Sequence, residues 1–174
     1  MKDIVAQRVG VFVDTQNIYY SARHLYQALV NFEALLKQAV RGRVLVRAVA
    51  YVVRSDDMKK EEFFKALGNM GYEIKSKDLQ VFADGSKKGD WDVGIAVDMI
   101  EQAPKLDTMV LVSGDGDFVP AVEHLQRGLG CRVEVMAFGP SANAQVKEVC
   151  DQFIDLDKES SKYLMKKNGK SKRK

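Results

Sequence analysis

Aspartates follow two apolar segments of the chain, and their positions are the feature of the sequence most suited to chemistry. Asp115 and Asp117 lie in a Ser-Gly-Asp-Gly-Asp turn directly after the apolar run 108–112, and Asp14 ends the similar run 8–14. Glycines beside Asp115 allow the backbone to turn sharply. Both runs are typical of buried strands in a parallel sheet, and such sheets bind ligands at the carboxyl ends of their strands. We therefore expect the functional site where these two strands end.

A simpler interpretation of the turn stays open beside this one. Asp117 could serve only to cap the following helix, and Asp115 could serve only to stabilise the turn, because aspartate and glycine are frequent in turns and helix caps. The positions of the other acids bear on the choice.

Strand and helix patterns alternate along the chain, which predicts an α/β fold. Strands are predicted at 8–14, 44–53, 108–113 and 132–137, with weaker signals at 72–75, 79–82 and 153–156. Helices are predicted from about residue 15 onward and at 32–40, 58–70, 91–102, 118–129 and 142–150, the last of them capped by Ser141. The pattern fits a doubly wound, mainly parallel sheet of about five strands in the order 3-2-1-4-5, with helices on both faces.

The helix at 91–102 carries a further acid toward the same edge of the sheet. Its buried face is predicted to consist of Val93, Ala96, Val97 and Ile100. Asp92 lies in its first turn, and Asp98 lies about 120° farther around the axis, so only one of the two can point into the site. We favour Asp92.

In the order 3-2-1-4-5, the strand that ends at Asp14 and the strand before Asp115 are neighbours, about 4.8 Å apart. Asp92 and Asp117 would join them, so four carboxylates would share one cleft. Their mutual repulsion favours a bound divalent cation, and oxygen ligands without Cys or His favour Mg²⁺ or Mn²⁺ over zinc. The alternative that some of these aspartates are caps or loop residues stays open.

Four segments carry a family resemblance that covers nearly everything except the basic end of the chain. They are FVDTQNIYY (12–20), KKGDWDVGIAVDM (87–99), LVSGDGDF (111–118) and VKEVCDQFIDL (146–156). Together they resemble the NYN domains, which are PIN-like metal-dependent ribonucleases, in their bacterial LabA-like branch. Trp91 departs from the family pattern, which often has a small or aliphatic residue before the helix aspartate. This departure leaves open whether Asp90 or Asp92 faces a metal.

The resemblance implies a PIN-like three-layer sandwich with one acidic cleft, Mg²⁺ or Mn²⁺ as the cofactor, and single-stranded or structured RNA as the substrate. It implies that the catalytic metal ligands are Asp14, Asp92, Asp115 and Asp117. It also implies that Asn17 and Ser113 orient these ligands or the substrate. The expected reaction is hydrolysis of RNA phosphodiester bonds by a metal-activated water.

An acidic cleft repels RNA, so cationic side chains must frame it. Arg54, Lys87 and Lys88 lie on predicted loops at the same edge of the sheet, and Trp91 could either stack on a base or pack against the sheet. The segment 158–174 contains eight basic residues and one acid. It is predicted to be a basic tail beyond a domain at 1–157, disordered beyond Tyr163 or Leu164. It would be either a solubilising end or an electrostatic arm for nucleic acid or another polyanion.

Composition and motifs argue against several other classes of protein. The chain of 174 residues has a net charge of +3 and no apolar run of the roughly 18 residues that a membrane helix needs. It begins without a signal-peptide pattern, so a cytoplasmic protein without a membrane partner is expected. A homodimer is an open alternative to a monomer.

Two enzyme classes with related motifs fit poorly. A phosphatase of the haloacid dehalogenase type needs a second aspartate two residues after the first, where this chain has Gln16, and no G-x-G-x-x-G motif of dinucleotide-binding folds follows any strand. His24 and His124 are interpreted as surface or partly buried residues. A non-catalytic RNA-binding or regulatory protein on the same fold stays open as the alternative to a ribonuclease.

Overall fold

Strands and helices alternate along almost the whole chain. A computed structural model describes residues 6–54 and 60–165. The strands are β1 (Arg8–Asp14), β2 (Leu29–Val30), β3 (Val44–Arg54), β4 (Glu73–Asp78), β5 (Gln80–Val81), β6 (Lys87–Lys88), β7 (Thr108–Val112), β8 (Arg132–Ala137), β9 (Gln152–Asp155) and β10 (Leu164–Met165). The α-helices are α1 (Thr15–Tyr26), α2 (Phe32–Val40), α3 (Lys60–Asn69), α4 (Asp92–Gln102), α5 (Val119–Arg127), α6 (Ala144–Val149) and α7 (Ser160–Tyr163).

Six strands form the central sheet in the order β4-β3-β1-β7-β8-β9, and every pair in it is parallel. The first five of these strands along the chain have the predicted order 3-2-1-4-5, which is confirmed, and β9 adds a sixth strand at one edge. The order places β1 between β3 and β7. The chain therefore crosses from one side of the sheet to the other next to β1, which is where open α/β sheets form a crevice.

Helices cover both faces of this sheet, as predicted. On one face, Val11 and Val13 of β1 pack in a core with residues of α1, α2 and α3, among them Ile18, Leu35 and Leu67. On the other face, Phe12 packs with residues of α4, α5 and α6. The apolar runs are continuous because central parallel strands bury both of their faces.

The predicted buried face of α4 is wrong. Ile95 and Met99 are fully buried, whereas Val93 is 75% exposed and Val97 and Ile100 are partly exposed. Asp92, Ile95 and Met99 share one side of the helix at spacings of three and four residues. Because α4 has apolar residues on both sides, its hydrophobic pattern alone does not select the side that faces the sheet.

Other predicted boundaries also change. The last predicted helix starts at Ala144, and its cap is Asn143, whose side chain accepts a hydrogen bond from the Gln145 amide at 2.8 Å. Ser141 instead ends a short 3-10 turn. The weak strand signal after Tyr72 is β4, an edge strand of the central sheet, and β5 pairs with β6 in a separate antiparallel hairpin.

Residues beyond Asp157 take part in the fold. A 3-10 turn and α7 lead into β10, which pairs antiparallel with β2. Tyr163 is 1% exposed, and its carbonyl accepts a hydrogen bond from the Asn31 amide at 2.8 Å. The described fold therefore continues to Met165, and the rest of the predicted basic tail, 166–174, lies outside the described residues. None of the described helices combines the length and apolar character that a membrane span requires.

A buried carboxylate on β8 joins the sheet to the end of α2. Glu134 is 1% exposed and contacts the Arg43 guanidinium at 3.0 and 3.1 Å, Arg41 at 2.7 Å and Arg132 at 3.2 Å. Arg43 also donates hydrogen bonds to the carbonyls of Ala39 and Val40. Burial alone would raise the pKa of Glu134, but the hydrogen bond and charge of Arg43 outweigh it, so the pKa lies below its ordinary value.

Replacing Glu134 should destabilise the protein strongly. We expect Glu134→Gln to lower the free energy of unfolding by about 3–5 kcal/mol, because it leaves the buried charge of Arg43 uncompensated. Urea unfolding measures this loss. Glu73→Gln is the matched control, since Glu73 pairs with Arg47 on the surface, and it should cost about 1 kcal/mol or less. Equal losses in the two variants would contradict the assignment of Glu134 as a buried anchor.

Candidate metal site

The carboxyl ends of β1 and β7 lie side by side, and hydrogen bonds connect the residues that follow them. The parallel register pairs Val13 with Val112, so Asp14 and Ser113 come next on neighbouring strands. Asp14 is 7% exposed. Its carboxylate caps α1 by accepting the Asn17 amide at 3.2 Å, and it accepts a second hydrogen bond from Ser113 Oγ at 3.1 Å.

Hydrogen bonds and a close backbone contact fix the Ser-Gly-Asp-Gly-Asp turn. The Gly114 amide donates to Asn17 Oδ1 at 3.0 Å, and the Asp115 amide donates to Ser113 Oγ at 3.2 Å. A Cβ atom on Gly114 would lie 2.9 Å from Ala142 Cα, so a side chain at this position would collide with backbone. The turn therefore needs glycine for close approach, and its hydrogen bonds fix the position of Asp115.

Three carboxylates meet beside this turn. Asp92, Asp115 and Asp117 each offer an oxygen atom, and these atoms lie within 4.8 Å of one another. We call these three residues the carboxylate cluster. Asp98 lies elsewhere and accepts hydrogen bonds from Tyr51 Oη and Lys75 Nζ, both at 2.6 Å. The structure thus brings Asp92, the favoured acid of α4, to the turn.

Asp14 and the carboxylate cluster border the same cleft. A cavity of about 270 Å³ has walls formed by Asp14, Gln16, Asn17, Tyr20, Ser21, Asp90, Trp91, Asp92 and Asp115. Asp117 is exposed beside it. Asp90 is also exposed at the rim and is not part of the cluster. All four predicted aspartates are therefore close together, with Asp14 the most deeply buried of them.

The cleft concentrates negative charge. Burial and the neighbouring charges of Asp14 and Asp115 raise the pKa of Asp92 from 3.8 to about 6. Burial also raises the pKa of Asp14, although the Asn17 and Ser113 hydrogen bonds oppose the rise. Within 6–54 and 60–165, no Lys, Arg or His nitrogen lies within 4.0 Å of any of the four carboxylates.

The donor set of the cleft fits a hard divalent cation. Several carboxylate oxygens converge, they repel one another, and no described cationic side chain neutralises them. Mg²⁺, Mn²⁺ and Ca²⁺ prefer such all-oxygen surroundings, whereas structural zinc sites use Cys and His.

The predicted cationic residues lie on β3 and β6 and do not form part of the walls of the cleft. Arg54 is half-exposed, pairs with Asp78 at 3.8 Å and lies over the Phe64 ring. It precedes 55–59, which lie outside the described residues. Lys87 and Lys88 are exposed on β6.

A groove lies beside the β5–β6 hairpin and next to the cleft. Its volume is about 490 Å³, and Lys77, Phe82 and Lys88 contribute to its walls. Asp90 borders both the groove and the cleft, so the two depressions are neighbours.

Trp91 packs against the sheet, which was one of its two predicted roles. Its indole Nε1 donates to the Val52 carbonyl at 3.0 Å, and its ring centroid lies 5.4 Å from that of Tyr51. Lys77 Nζ lies 4.8 Å from the centre of the ring. The side chain also borders the cleft. It therefore forms a wall between the acidic cleft and the interior.

Three further residues border the cleft that the sequence patterns did not single out: Gln16, Tyr20 and Ser21. Tyr20 and Ser21 follow Asn17 by three and four residues, so they share its face of α1. The spacing from Asn17 along the helix was the sequence signal that could have identified Tyr20 and Ser21. Tyr20 is 50% exposed.

The fold and the cleft together define an α/β protein with an acidic, metal-fitting cluster at the carboxyl edge of a parallel sheet. The chain belongs to the NYN domain family, whose family model matches residues 8–157. This result confirms the resemblance that the sequence motifs indicated.

Two relatives extend the comparison. The chain is 29% identical over 157 residues to Low amplitude and bright protein LabA of Synechococcus elongatus, which covers 86% of this chain and 84% of that protein. It is also similar to the crystal structure of a protein of unknown function from Vibrio parahaemolyticus, with a TM-score of 0.84 and 34% identity. That match covers 95% of this chain and all of the other.

The raised pKa of Asp92 predicts a pH-dependent stability of the metal-free protein. A carboxyl whose pKa is higher in the folded than in the unfolded state stabilises the fold below its ordinary pKa, and this contribution is lost as the pH rises through about 6. The unfolding temperature of the metal-free protein should therefore fall between about pH 4.5 and pH 7, and that of Asp92→Asn should fall less over the same range. Thermal unfolding in a chelating buffer measures the effect.

Asp98→Asn is the matched control on the same helix. Burial would raise the pKa of Asp98, but hydrogen bonds from Lys75 and Tyr51 outweigh it and hold the pKa below 3.8. Asp98 is therefore ionised throughout the range, and its removal should leave the pH profile unchanged. Added Mg²⁺ should offset the fall in the wild-type protein. A wild-type profile identical to that of Asp92→Asn would contradict the coupling of these acids.

Proposed function

We propose that this protein is a metal-dependent ribonuclease that hydrolyses RNA phosphodiester bonds in the cleft formed by Asp14 and the carboxylate cluster. The observation that carries the proposal is the convergence of Asp92, Asp115 and Asp117 oxygens within 4.8 Å, without a described cationic partner, in a chain of the NYN family. RNA is the proposed substrate because the family that the chain resembles consists of PIN-like ribonucleases.

Asp92, Asp115 and Asp117 would hold Mg²⁺ or Mn²⁺ through their carboxylate oxygens, and Asp14 would contribute from the buried side of the cleft. When bound, such an ion lowers the pKa of water and stabilises negative charge on a phosphate. Asp14 is already engaged by Ser113 and by the Asn17 amide, which restrict its carboxylate to one orientation. Asn17 and Ser113 are thus positioning residues, because both also fix the turn that carries Asp115.

Cationic residues at the rim would hold the RNA backbone against the repulsion of the acids. Lys77 and Lys88 border the groove next to the cleft, Lys87 precedes Lys88 on β6, and Arg54 lies at the end of β3. Each neutralised phosphate releases counterions, so binding should weaken as salt increases. Trp91 contributes a wall of the cleft, and its packed ring restricts where a nucleotide can lie.

Removal of a cluster carboxylate should abolish cleavage. The full chain would be incubated with labelled single-stranded RNA, structured RNA and single-stranded DNA, with Mg²⁺, with Mn²⁺ and with a chelator. We expect RNA cleavage only with metal, and a loss of at least about 100-fold in Asp92→Asn and Asp115→Asn, because the ion loses a ligand. Gel analysis of the products measures the rate.

Asp98→Asn serves again as the control, since it removes an acid of α4 outside the cleft, and it should cleave like the wild-type protein. Circular dichroism verifies that each variant is folded. Cleavage that persists in Asp92→Asn and Asp115→Asn would contradict the site. RNA binding without cleavage in either metal would overturn the ribonuclease proposal in favour of a non-catalytic RNA-binding protein on the same fold.

A further inference from the structure

Helix α1 presents a second surface that starts at the rim of the acidic cleft. Tyr20 borders the cleft, and it also borders an open depression of about 630 Å³ together with Tyr19, Arg23 and His24. We call these four residues the α1 surface. Because Tyr20 borders both, the depression and the cleft are neighbours, on the side of β1 that is occupied by α1.

The aromatic part of the α1 surface is accessible. Tyr20 is 50% exposed, and its ring meets that of Tyr19 edge to face, with centroids 5.5 Å apart and an angle of 77° between the planes. Tyr19 is partly buried and packs against the core. Tyr19 therefore supports the ring of Tyr20 from one side, while about half of the Tyr20 side chain stays open to a ligand.

Cationic and polar groups continue the surface along the helix. Arg23 is exposed, its guanidinium lies 5.7 Å from the centre of the Tyr19 ring, and Nη1 donates to the Tyr19 hydroxyl at 3.4 Å. Asn17, Tyr20 and His24 follow at spacings of three and four residues, so they lie along one face of α1 over about 10 Å. This face begins at the hydrogen bond from Gly114 to Asn17 and leads away from the acids.

The combination of an open aromatic ring and an adjacent guanidinium suits a nucleic-acid strand with unpaired bases. Bases stack on aromatic side chains in single-stranded complexes, and cationic groups track the backbone. A base inside a duplex already stacks on its neighbours and offers no free face to Tyr20. The ring therefore favours single strands over duplexes.

We propose that the α1 surface binds single-stranded RNA, with Tyr20 stacking on a base beside the cleft and Arg23 contacting the backbone of the adjoining nucleotide. This inference rests on the proposed ribonuclease function, because it assigns the α1 surface to the substrate of the same site. It adds the residues that hold the strand outside the acidic cleft and the direction in which the strand leaves the acids.

Binding of a fluorescently labelled single-stranded RNA to the full chain tests the proposal. Fluorescence anisotropy in a chelating buffer separates binding from metal-dependent cleavage. We expect Tyr20→Ala to raise Kd about tenfold and Tyr20→Phe to bind like the wild-type protein, because the ring and not the hydroxyl makes the stack. Arg23→Ala should lower the slope of log Kd against log salt concentration by about 0.7, the value for one phosphate contact on a single strand.

Two controls make the result specific. Arg127→Ala removes an exposed arginine of α5 that pairs with Glu123 and borders neither the cleft nor the α1 surface, so it should leave the salt dependence unchanged. The blunt duplex form of the same RNA should bind Tyr20→Ala and the wild-type protein equally.

Unchanged affinity of Tyr20→Ala for the single strand would overturn the inference, even if the wild-type protein cleaves RNA. An equal loss for the single strand and the duplex would also overturn it, since base stacking would not explain that loss. The cleavage assay tests the ribonuclease proposal separately from this binding assay, since that proposal fails if no RNA is cleaved with Mg²⁺ or Mn²⁺.

Discussion

Hydrogen bonds across the carboxyl ends of β1 and β7 are the constraint on which the acidic cleft depends. Ser113 donates to Asp14, and the Gly114 amide donates to Asn17, so each strand end supplies a partner to the other. The same Ser113 hydroxyl accepts the Asp115 amide. A change in the spacing of these two strands would therefore move Asp14 and Asp115 together. The parallel register and the cleft geometry are a single structural feature.

Glu134 and the acids of the cleft have opposite electrostatic surroundings. Glu134 is surrounded by three arginines, which hold its pKa low and make it a structural anchor. The cleft acids have no such partner among the described residues, and the pKa of Asp92 rises to about 6. Among the described residues, arginines surround Glu134, whereas none forms an ion pair with an acid of the cleft. The proposed divalent cation would balance the charge of these acids.

The sequence predicted the features that follow from continuous patterns. The apolar runs that end at Asp14 and before Ser113 identified adjacent central strands, and the strand order then brought their acids together. Sequence patterns did not predict the features that depend on tertiary contacts. The pattern of α4 has apolar residues on both sides, so the burial of Ile95 and the exposure of Val93 follow only from docking on the sheet.

Two further features also depend on tertiary contacts. The packing of Trp91 on Tyr51 and the burial of Tyr163 join residues far apart in the chain, and no local pattern records such pairs. By contrast, helical spacing alone could have predicted that Tyr20 lies on the same face of α1 as Asn17.

The cleft is rigid at its centre and more loosely supported at its rim. Asp14 and Ser113 are buried at the ends of central strands, whereas β5 and β6 pair only with each other within the described sheets, and such two-stranded hairpins have little stability of their own. Tyr20 and Arg23 lie on the exposed side of α1. Changes in the hairpin or on this side of α1 cost little folding energy, while changes at the strand ends disturb the whole hydrogen-bond network. Differences in substrate preference among related chains should therefore arise at the rim, around a centre that the sheet holds fixed.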